Sequence, residues 1–212
     1  LAASLRGALG GEHNDESMTQ AQLSFVRRFY LRLLLCSYLG LAGKDVHINR
    51  SGKGKPSIDC SAHDSALQFS MAKSGDRLLI GIASRDHMGV DLEPLNRRAH
   101  NALGVARRYF SQSEADALAM LSGNRLHAAF LRTWALKEAV VKANGMGIAN
   151  QLCRFTVETD LDRPPAILDF PGEDLDHWSV ELLEPEQGYV GAVALGSSGI
   201  ILKTFRLLPA PN

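Results

Sequence analysis

Hydrophobic residues recur at different intervals along the chain, and each change of interval predicts a new type of element. Between about Thr19 and Leu39 they recur close to the helical period, which predicts one long helix that ends at Gly40. The apolar positions of this helix are Leu23, Val26, Phe29, Tyr30, Leu33, Leu34 and Tyr38. The preceding residues, 1–17, are expected to form a loose arm.

Short apolar runs separated by Gly, Ser, Asp and Pro follow between Val46 and Pro94, and this pattern is typical of β-strands. The predicted strands are 46–49, 67–71, 78–83 and 89–93. The helical period then returns from about residue 101 to Gly145. Within that stretch a capping box of Ser111 and Glu114 predicts a short helix through residue 121, and a longer helix is predicted over 125–143.

A second group of strands is predicted after the helices, at 153–158, 166–169, 178–183, 189–195 and 200–207. Runs of strands separated by grouped helices favour an α+β fold over a doubly wound α/β sheet. Pro94 divides the chain into an N-terminal half, 1–94, and a C-terminal half, 95–212, that resemble each other coarsely. These two halves are the predicted domains.

Composition narrows the function classes. The chain has 212 residues, with 23 Lys and Arg against 23 Asp and Glu, and a domain that mainly grips nucleic acid usually carries a net positive charge. No apolar stretch approaches the roughly 20 residues of a membrane-spanning helix. The three scattered cysteines, Cys36, Cys60 and Cys153, match neither a disulfide framework nor a zinc site, which favours a cytoplasmic protein. Nucleic acid and membrane are therefore not expected partners.

The predicted helix around Trp134 carries a first candidate for chemistry. Glu138 and Lys142 are four residues apart and share one helical face, with Trp134 one turn before them. The same spacing also occurs as an ordinary surface ion pair that contributes a few tenths of a kcal/mol, so this helix alone leaves both interpretations open.

The predicted strand at 89–93 carries a second candidate. Asp91 and Glu93 lie two apart and so face the same side, while Val90 and Leu92 point into a core. Adjacent carboxylates repel each other unless a cation lies between them, and Mg²⁺ prefers such oxygen ligands. A solvated strand face is the alternative interpretation.

Two weaker signals precede that strand. Gly52-Lys53-Gly54-Lys55-Pro56 is suited to close approach of an anion, although a plain surface turn has the same composition. The segment 68–76 predicts a strand that runs into a polar turn and carries Lys73 near its end.

Together and in this order, the motifs resemble those of the 4'-phosphopantetheinyl transferases, in the larger, surfactin-synthetase-type (Sfp-type) class. The strand has the family's Gly-hydrophobic-Asp-hydrophobic-Glu pattern at 89–93. The predicted helix has the family's second pattern, which is Trp134, then Lys-Glu-Ala at 137–139, then Lys142. Lys137 follows Asp91 by 46 positions. Further matches, within a resemblance that covers about 23–160, are Gly54-Lys55-Pro56, Arg108-Tyr109-Phe110-Ser111 with Glu114, and Gly145-x-Gly147-Ile148 leading to Phe155.

The resemblance implies a fold of two similar α+β halves, a pseudo-dimer within one chain, with the active site at their interface and a monomeric state. It implies transfer of the 4'-phosphopantetheine group of coenzyme A to a serine of an apo acyl or peptidyl carrier protein, with release of adenosine 3',5'-bisphosphate. Such carrier proteins serve fatty-acid, polyketide and nonribosomal-peptide biosynthesis.

The resemblance also implies roles for particular residues. Asp91, Glu93 and Glu138 would hold Mg²⁺, with Glu138 as general base and Lys142 stabilising the diphosphate charge. The residues expected to bind coenzyme A are Arg28, Lys55, Pro56, Lys73, Ser74, Asp91 and Lys142. For Lys137 two roles stay open, a phosphate contact or a pair with an acidic residue of the fold.

Two positions depart from the family pattern or fit it ambiguously. Lys73 stands where the family has a histidine, and its longer stem would contact a phosphate with different geometry. Arg28 is the expected coenzyme arginine, with Arg27 next to it as the competing position. Lys73, together with the segment before Thr19, which does not show the family's usual first strand and basic segment, motivates an alternative function, a relative that binds coenzyme A or a carrier domain without transfer. A metal-dependent hydrolase of pyrophosphate bonds is a third possibility.

Overall fold

The computed structural model describes residues 19–50, 55–59, 62–63, 65–97, 101–145 and 151–207. Its helices are α1 (Gln20–Leu39), α2 (Ala102–Tyr109), α3 (Gln112–Ala119) and α4 (Gly123–Asn144). Its strands are β1 (Ile48–Arg50), β2 (Pro56–Ile58), β3 (Gln68–Ser74), β4 (Arg77–Ala83), β5 (Met88–Pro94), β6 (Thr156–Val157), β7 (Ile167–Asp169), β8 (Ser179–Leu183) and β9 (Tyr189–Leu195). The predicted α+β class is therefore confirmed. Several sequence features lie outside the described residues: the arm at 1–17, Gly52 to Gly54, Cys60, Gly147 and Ile148.

All described strand pairs are antiparallel, and they form three two-stranded sheets and one three-stranded sheet of order β5-β9-β8. In the larger sheet Asp91 is paired with Ala192 and Glu93 with Val190. Backbone hydrogen bonds thus join a strand before the predicted boundary at Pro94 to strands near the C-terminal end. The division into 1–94 and 95–212 stays a prediction, as does the likeness of the two halves.

The sheet β5-β9-β8 lies between α4 on one face and the β3–β4 hairpin on the other. Val90, Leu92 and Val193 pack with residues of the hairpin, whereas Ala192 and Ala194 pack against α4. The predicted inward direction of Val90 and Leu92 is therefore confirmed. Their neighbours Asp91 and Glu93 consequently face the helix, because side chains alternate along a strand.

Helix α1 begins at a capping box formed by Thr19 and Gln22 and ends at Gly40, whose φ of 66° lies in the left-handed region. Its buried face differs from the predicted one. Leu31 and Leu35 pack on a cluster that includes strand residues, whereas Leu33, Leu34 and Tyr38 are exposed. The helix is apolar on almost every side, so periodicity alone cannot select the face that contacts the sheet.

Two strand predictions differ from the structure. Residues 200–207 form no strand and are mostly exposed; β9, which precedes them, is already paired on both sides. The strand predicted at 153–158 is reduced to β6 because the chain first makes a 3₁₀ turn at Leu152–Arg154. Strand β2 was not predicted, since it has three residues and begins with Pro56. None of the described helices has an apolar run long enough to cross a bilayer.

Strand β5 approaches the backbone of α4 most closely at Gly89. A Cβ atom built on Gly89 would lie 1.9 Å from the carbonyl oxygen of Ala139 and 2.5 Å from the amide nitrogen of Ala143. Neither backbone atom can move aside as the end of a flexible side chain could. Only glycine therefore allows this strand–helix distance.

We expect Gly89→Ala to destabilise the protein by at least about 3 kcal/mol, because strand and helix must separate to accommodate the methyl group. Gly196→Ala is the matched control: its Cβ would be 3.8 Å from its nearest neighbours, and its expected cost is within about 1 kcal/mol. Urea unfolding followed by circular dichroism measures both. Equal losses in the two variants would contradict the close-approach argument.

Lys137 and Glu114 form a fully buried ion pair that ties α4 to α3 and to the chain around β6. The Lys137 Nζ donates to Glu114 Oε1 at 2.6 Å and to the carbonyl of Phe155 at 2.7 Å. Glu114 also accepts from the amides of Val157, at 2.7 Å, and Ser111, at 2.8 Å. Of the two roles open for Lys137, the structure shows the pair with an acidic residue.

We expect Lys137→Met to cost about 3–5 kcal/mol, because it leaves the Glu114 carboxylate buried without its counter-ion. Arg125→Met serves as the comparison: Arg125 forms a 2.7 Å pair with Asp162 that is exposed on both sides, so its loss should leave the free energy of unfolding nearly unchanged. The free energy of unfolding is measured in guanidinium chloride. Similar losses in the two variants would show that burial does not determine the effect.

Candidate active site

Asp91 lies at the centre of a buried polar group between β5 and α4. Asp91 is only 7% exposed, and its Oδ1 accepts a hydrogen bond from the Lys142 Nζ at 2.6 Å. Its Oδ2 is buried and has no hydrogen-bond partner. A buried carboxylate oxygen without a partner is costly, so this atom marks a position where a ligand would be stabilised.

Two lysines reach the backbone of β5 beside Asp91. Besides its bond to Asp91, Lys142 donates to the carbonyl of Val90 at 3.1 Å. The Lys55 Nζ donates to the carbonyl of Met88, also at 3.1 Å. Residues two apart along a strand are separated by about 7 Å. The carbonyls of Met88 and Val90 therefore place both ammonium groups at the same end of β5. Burial lowers the pKa of Lys55.

Glu138 lies one helical turn before Lys142 and is 6% exposed. The pKa of its carboxyl group is raised to about 7, first by burial and then by the negative charge of Asp91, while Lys142 acts in the opposite direction. The predicted shared face of Glu138 and Lys142 is thus turned toward Asp91 rather than solvent. A carboxyl group with this pKa can accept or release a proton near neutral pH.

Glu93 lies on the same side of β5 and is 9% exposed. Its Oε1 accepts a 2.6 Å hydrogen bond from Arg97, whose guanidinium lies 5.6 Å from the centre of the Trp134 ring. Burial raises the pKa of Glu93, and the hydrogen bond from Arg97 opposes that shift. Arg97 was absent from the predicted site residues, although a cation four residues after Glu93 is visible in the sequence.

The side chains of Asp91, Glu93 and Glu138, together called the carboxylate group here, have the chemistry that suits a hard divalent cation. Asp91, Glu93 and Glu138 supply only oxygen atoms, and Asp91 Oδ2 has no other partner. Their present arrangement is not that of a formed site: among the described residues no three His, Cys, Asp or Glu side chains form a group that could hold a metal ion. One oxygen of Asp91 and one of Glu93 instead bind Lys142 and Arg97. The metal-ligand set stays a prediction.

The remaining predicted coenzyme-binding residues lie on other elements. Arg28 is exposed on α1, Lys73 is exposed and Ser74 half-buried at the end of β3, and Pro56 begins β2. Within the described part of the chain, no side-chain hydrogen bond or ion pair links these four residues to the carboxylate group. Strand β3 nevertheless lies against β5, since the Ser70 hydroxyl accepts from the amide of Val90 at 3.1 Å.

Arg27, rather than Arg28, is the arginine of α1 that contacts the turn after β3. Its Nη2 donates to the carbonyl of Gly75, and its Nε is buried without a hydrogen-bond partner. The signal that could have identified it is its spacing of four and eight residues from Leu31 and Leu35, which places it on the buried face.

Comparisons with known proteins now bear on these elements. The sequence model of the 4'-phosphopantetheinyl transferase superfamily matches residues 87–194, just over half of the chain. The matched range contains β5, α4 and all but the last residue of β9. The chain belongs to this superfamily. The resemblance drawn from the motifs and the assignment to the transferases are therefore confirmed.

Several 4'-phosphopantetheinyl transferases are similar along most of the chain. HetI of Nostoc sp. is 30% identical over 172 residues, which are 81% of this chain and 70% of that protein. The human L-aminoadipate-semialdehyde dehydrogenase-phosphopantetheinyl transferase is 23% identical over 193 residues, 82% of this chain and 61% of that protein. The Bacillus subtilis transferase ffp is 28% identical, with 62% of this chain and 56% of that protein aligned.

Solved structures of holo-(acyl-carrier-protein) synthases also align with part of the chain. The Bacillus anthracis protein, in complex with CoA (3',5'-ADP), has 22% identity and a TM-score of 0.42, covering 51% of this chain and 93% of that one. The Neisseria meningitidis protein has 22% identity and a TM-score of 0.40, covering 51% and 95%.

The raised pKa of Glu138 predicts a pH-dependent stability in the metal-free protein. Because the folded-state pKa of about 7 exceeds the ordinary value of 4.5, this carboxyl contributes stability below pH 4.5 that is lost as the pH rises through 7. The loss from this group is roughly 3 kcal/mol. Urea unfolding in EDTA between pH 4.5 and 8 should show a flatter profile for Glu138→Gln. The exposed Glu184→Gln should keep the wild-type profile, and an unchanged slope in Glu138→Gln contradicts the prediction.

Proposed function

We propose that this chain transfers the 4'-phosphopantetheine group of coenzyme A to a serine of an apo acyl or peptidyl carrier protein, with Mg²⁺ and with release of adenosine 3',5'-bisphosphate. The observation that carries the proposal is the buried Asp91 carboxylate, which has one oxygen on Lys142, one oxygen without a partner, and a negative charge that helps to raise the pKa of the neighbouring Glu138. Membership of the transferase superfamily supplies the reaction class.

The reaction is a displacement at phosphorus. The serine oxygen forms a bond to the phosphorus that carries pantetheine, and the bond from that phosphorus to the bridging diphosphate oxygen breaks. The serine proton must be removed, and the negative charge that develops on adenosine 3',5'-bisphosphate must be stabilised. The site therefore needs a base and several positive charges.

Asp91, Glu93 and Glu138 are the residues that would hold Mg²⁺, which would neutralise part of the diphosphate charge. Glu138 is the proposed acceptor of the serine proton, directly or through a water molecule, because its buried carboxyl group lies beside Asp91 and Lys142. Lys142 is already oriented by Asp91 and by the Val90 carbonyl, so its ammonium can stabilise the diphosphate with little loss of side-chain entropy.

Coenzyme A would lie along the cations between α1 and β5. Lys55 contacts the Met88 carbonyl of β5, and Lys73, Ser74 and Pro56 lie on the neighbouring β3 and β2. Arg28 remains the proposed phosphate contact from α1, because it is exposed. Arg27 contributes by holding the turn after Ser74 through the Gly75 carbonyl.

The rest of the proposal concerns the whole protein. We infer the larger, Sfp-type class, a monomer in the cytoplasm, and a site between the two halves. The acceptors would be carrier proteins of fatty-acid, polyketide or nonribosomal-peptide synthesis. Arg107 and Arg108 are exposed on α2 and could meet the acidic surface of such a carrier. A relative that binds coenzyme A without transfer is the second candidate, and the observation in its favour is Lys73 at the family's histidine position.

Mass spectrometry of a panel of apo carrier proteins tests the proposal. With coenzyme A and Mg²⁺, the wild-type chain should add one phosphopantetheine per carrier, and EDTA should stop the reaction. Asp91→Asn and Glu138→Gln should each slow the transfer by at least about 100-fold while keeping the far-ultraviolet circular dichroism of the wild type. Arg125→Gln, on a distant exposed ion pair, should keep the wild-type rate.

The two candidate functions give different results in this assay. Coenzyme A binding by calorimetry without a mass gain on any carrier would support the binding protein and contradict transfer. A full rate in Glu138→Gln would remove Glu138 from the role of base while leaving the transferase assignment intact.

A further inference from the structure

The carboxylate of Glu93 already has a charged partner in the protein. Arg97 Nη1 lies 2.6 Å from Glu93 Oε1, and the Glu93 side chain is only 12% exposed. The Arg97 side chain is 46% exposed, so this pair lies at the boundary between the buried carboxylate group and solvent. A pair in this position is less screened than one on the open surface.

The Trp134 ring holds the guanidinium from the other side. The Arg97 Cζ is 5.6 Å from the ring centre, within the range of a cation–π interaction. Trp134 precedes Glu138 by one turn of α4, so the same helix that carries the proposed base also places the guanidinium against Glu93. Arg97 follows β5 by three residues and thus reaches back over the strand that carries Glu93.

A metal ion bound by Glu93 would compete with Arg97 for the carboxylate of Glu93. The position of Arg97 satisfies one oxygen of Glu93, and its positive charge opposes the approach of a second cation.

We propose that Arg97 is a positioning residue that holds Glu93 in the metal-free protein and must be displaced from it when a divalent cation binds. The inference rests on the metal site of the proposed function. Its consequence is that Arg97 weakens binding of the cation alone, while the negative diphosphate of coenzyme A offsets that effect by attracting both the cation and the released guanidinium.

Binding of Mn²⁺ alone, measured from free Mn²⁺ by electron paramagnetic resonance at pH 8, tests the inference. Arg97→Gln should bind Mn²⁺ about fivefold more tightly than the wild type, because the competing charge is gone. Arg97→Lys should lie between the two, because it keeps the charge but not the planar fork. In a Glu93→Gln background, Arg97→Gln should change the affinity much less. Arg125→Gln is the matched control for loss of an exposed arginine.

Three results would overturn the inference. The first is an unchanged Mn²⁺ affinity in Arg97→Gln, even if carrier modification by the wild type proceeds; the proposed function then stands without this role. The second is the same change in affinity in the Glu93→Gln background, which would show a general charge effect. The third is no Mn²⁺ binding by the folded wild-type protein, which removes the proposed metal site and this inference together.

A metal-free measurement separates a positioning role from a merely structural one. If Arg97 holds Glu93, the stability losses of Arg97→Gln and Glu93→Gln in EDTA should be non-additive, because each variant breaks the same pair. Non-additive stability together with an unchanged Mn²⁺ affinity would leave Arg97 as a structural residue and contradict the proposal.

Discussion

The contact between β5 and α4 at Gly89 is the constraint on which the rest of the site depends. Without a side chain at Gly89, the strand backbone lies directly against the backbone of Ala139 and Ala143. At this distance Asp91, two residues along the strand, reaches the ammonium of Lys142 at 2.6 Å. A wider separation would admit water between strand and helix and would end both the burial of Asp91 and its effect on Glu138. The close approach therefore sets the electrostatics of the site as well as the packing of the core.

Two buried carboxylates pair with lysines of α4, and their remaining hydrogen bonds distinguish them. Glu114 is bonded to Lys137 and to two backbone amides, so its charge is satisfied by the fold itself. Asp91 lies in a similarly buried position but keeps one oxygen without a partner, and its neighbour Glu138 has a raised pKa. The first arrangement stabilises the scaffold, whereas the second retains unfavourable energy that a bound cation would relieve.

Much of the scaffold was predictable because its signals are local. The capping box at Ser111 appears in the structure as predicted, since it needs only residues three apart. The alternation around Asp91 likewise predicted which side chains enter the core. The failures concern longer-range effects: residues 200–207 have strand-like composition but no strand partner among the described residues, and the buried face of α1 depends on the sheet against which it packs.

The sequence by itself determined the family, the α+β class and the ordered motifs that carry Asp91, Glu93, Glu138 and Lys142, because these features depend on residue type and spacing. Only the tertiary structure decided which charged groups meet. Lys137 pairs with Glu114 rather than facing the site, Arg97 holds Glu93, and Arg27 rather than Arg28 contacts the turn after β3. The physical reason is that the partner of a charge and its loss of solvent depend on elements that are distant along the chain, and their approach is set by backbone packing.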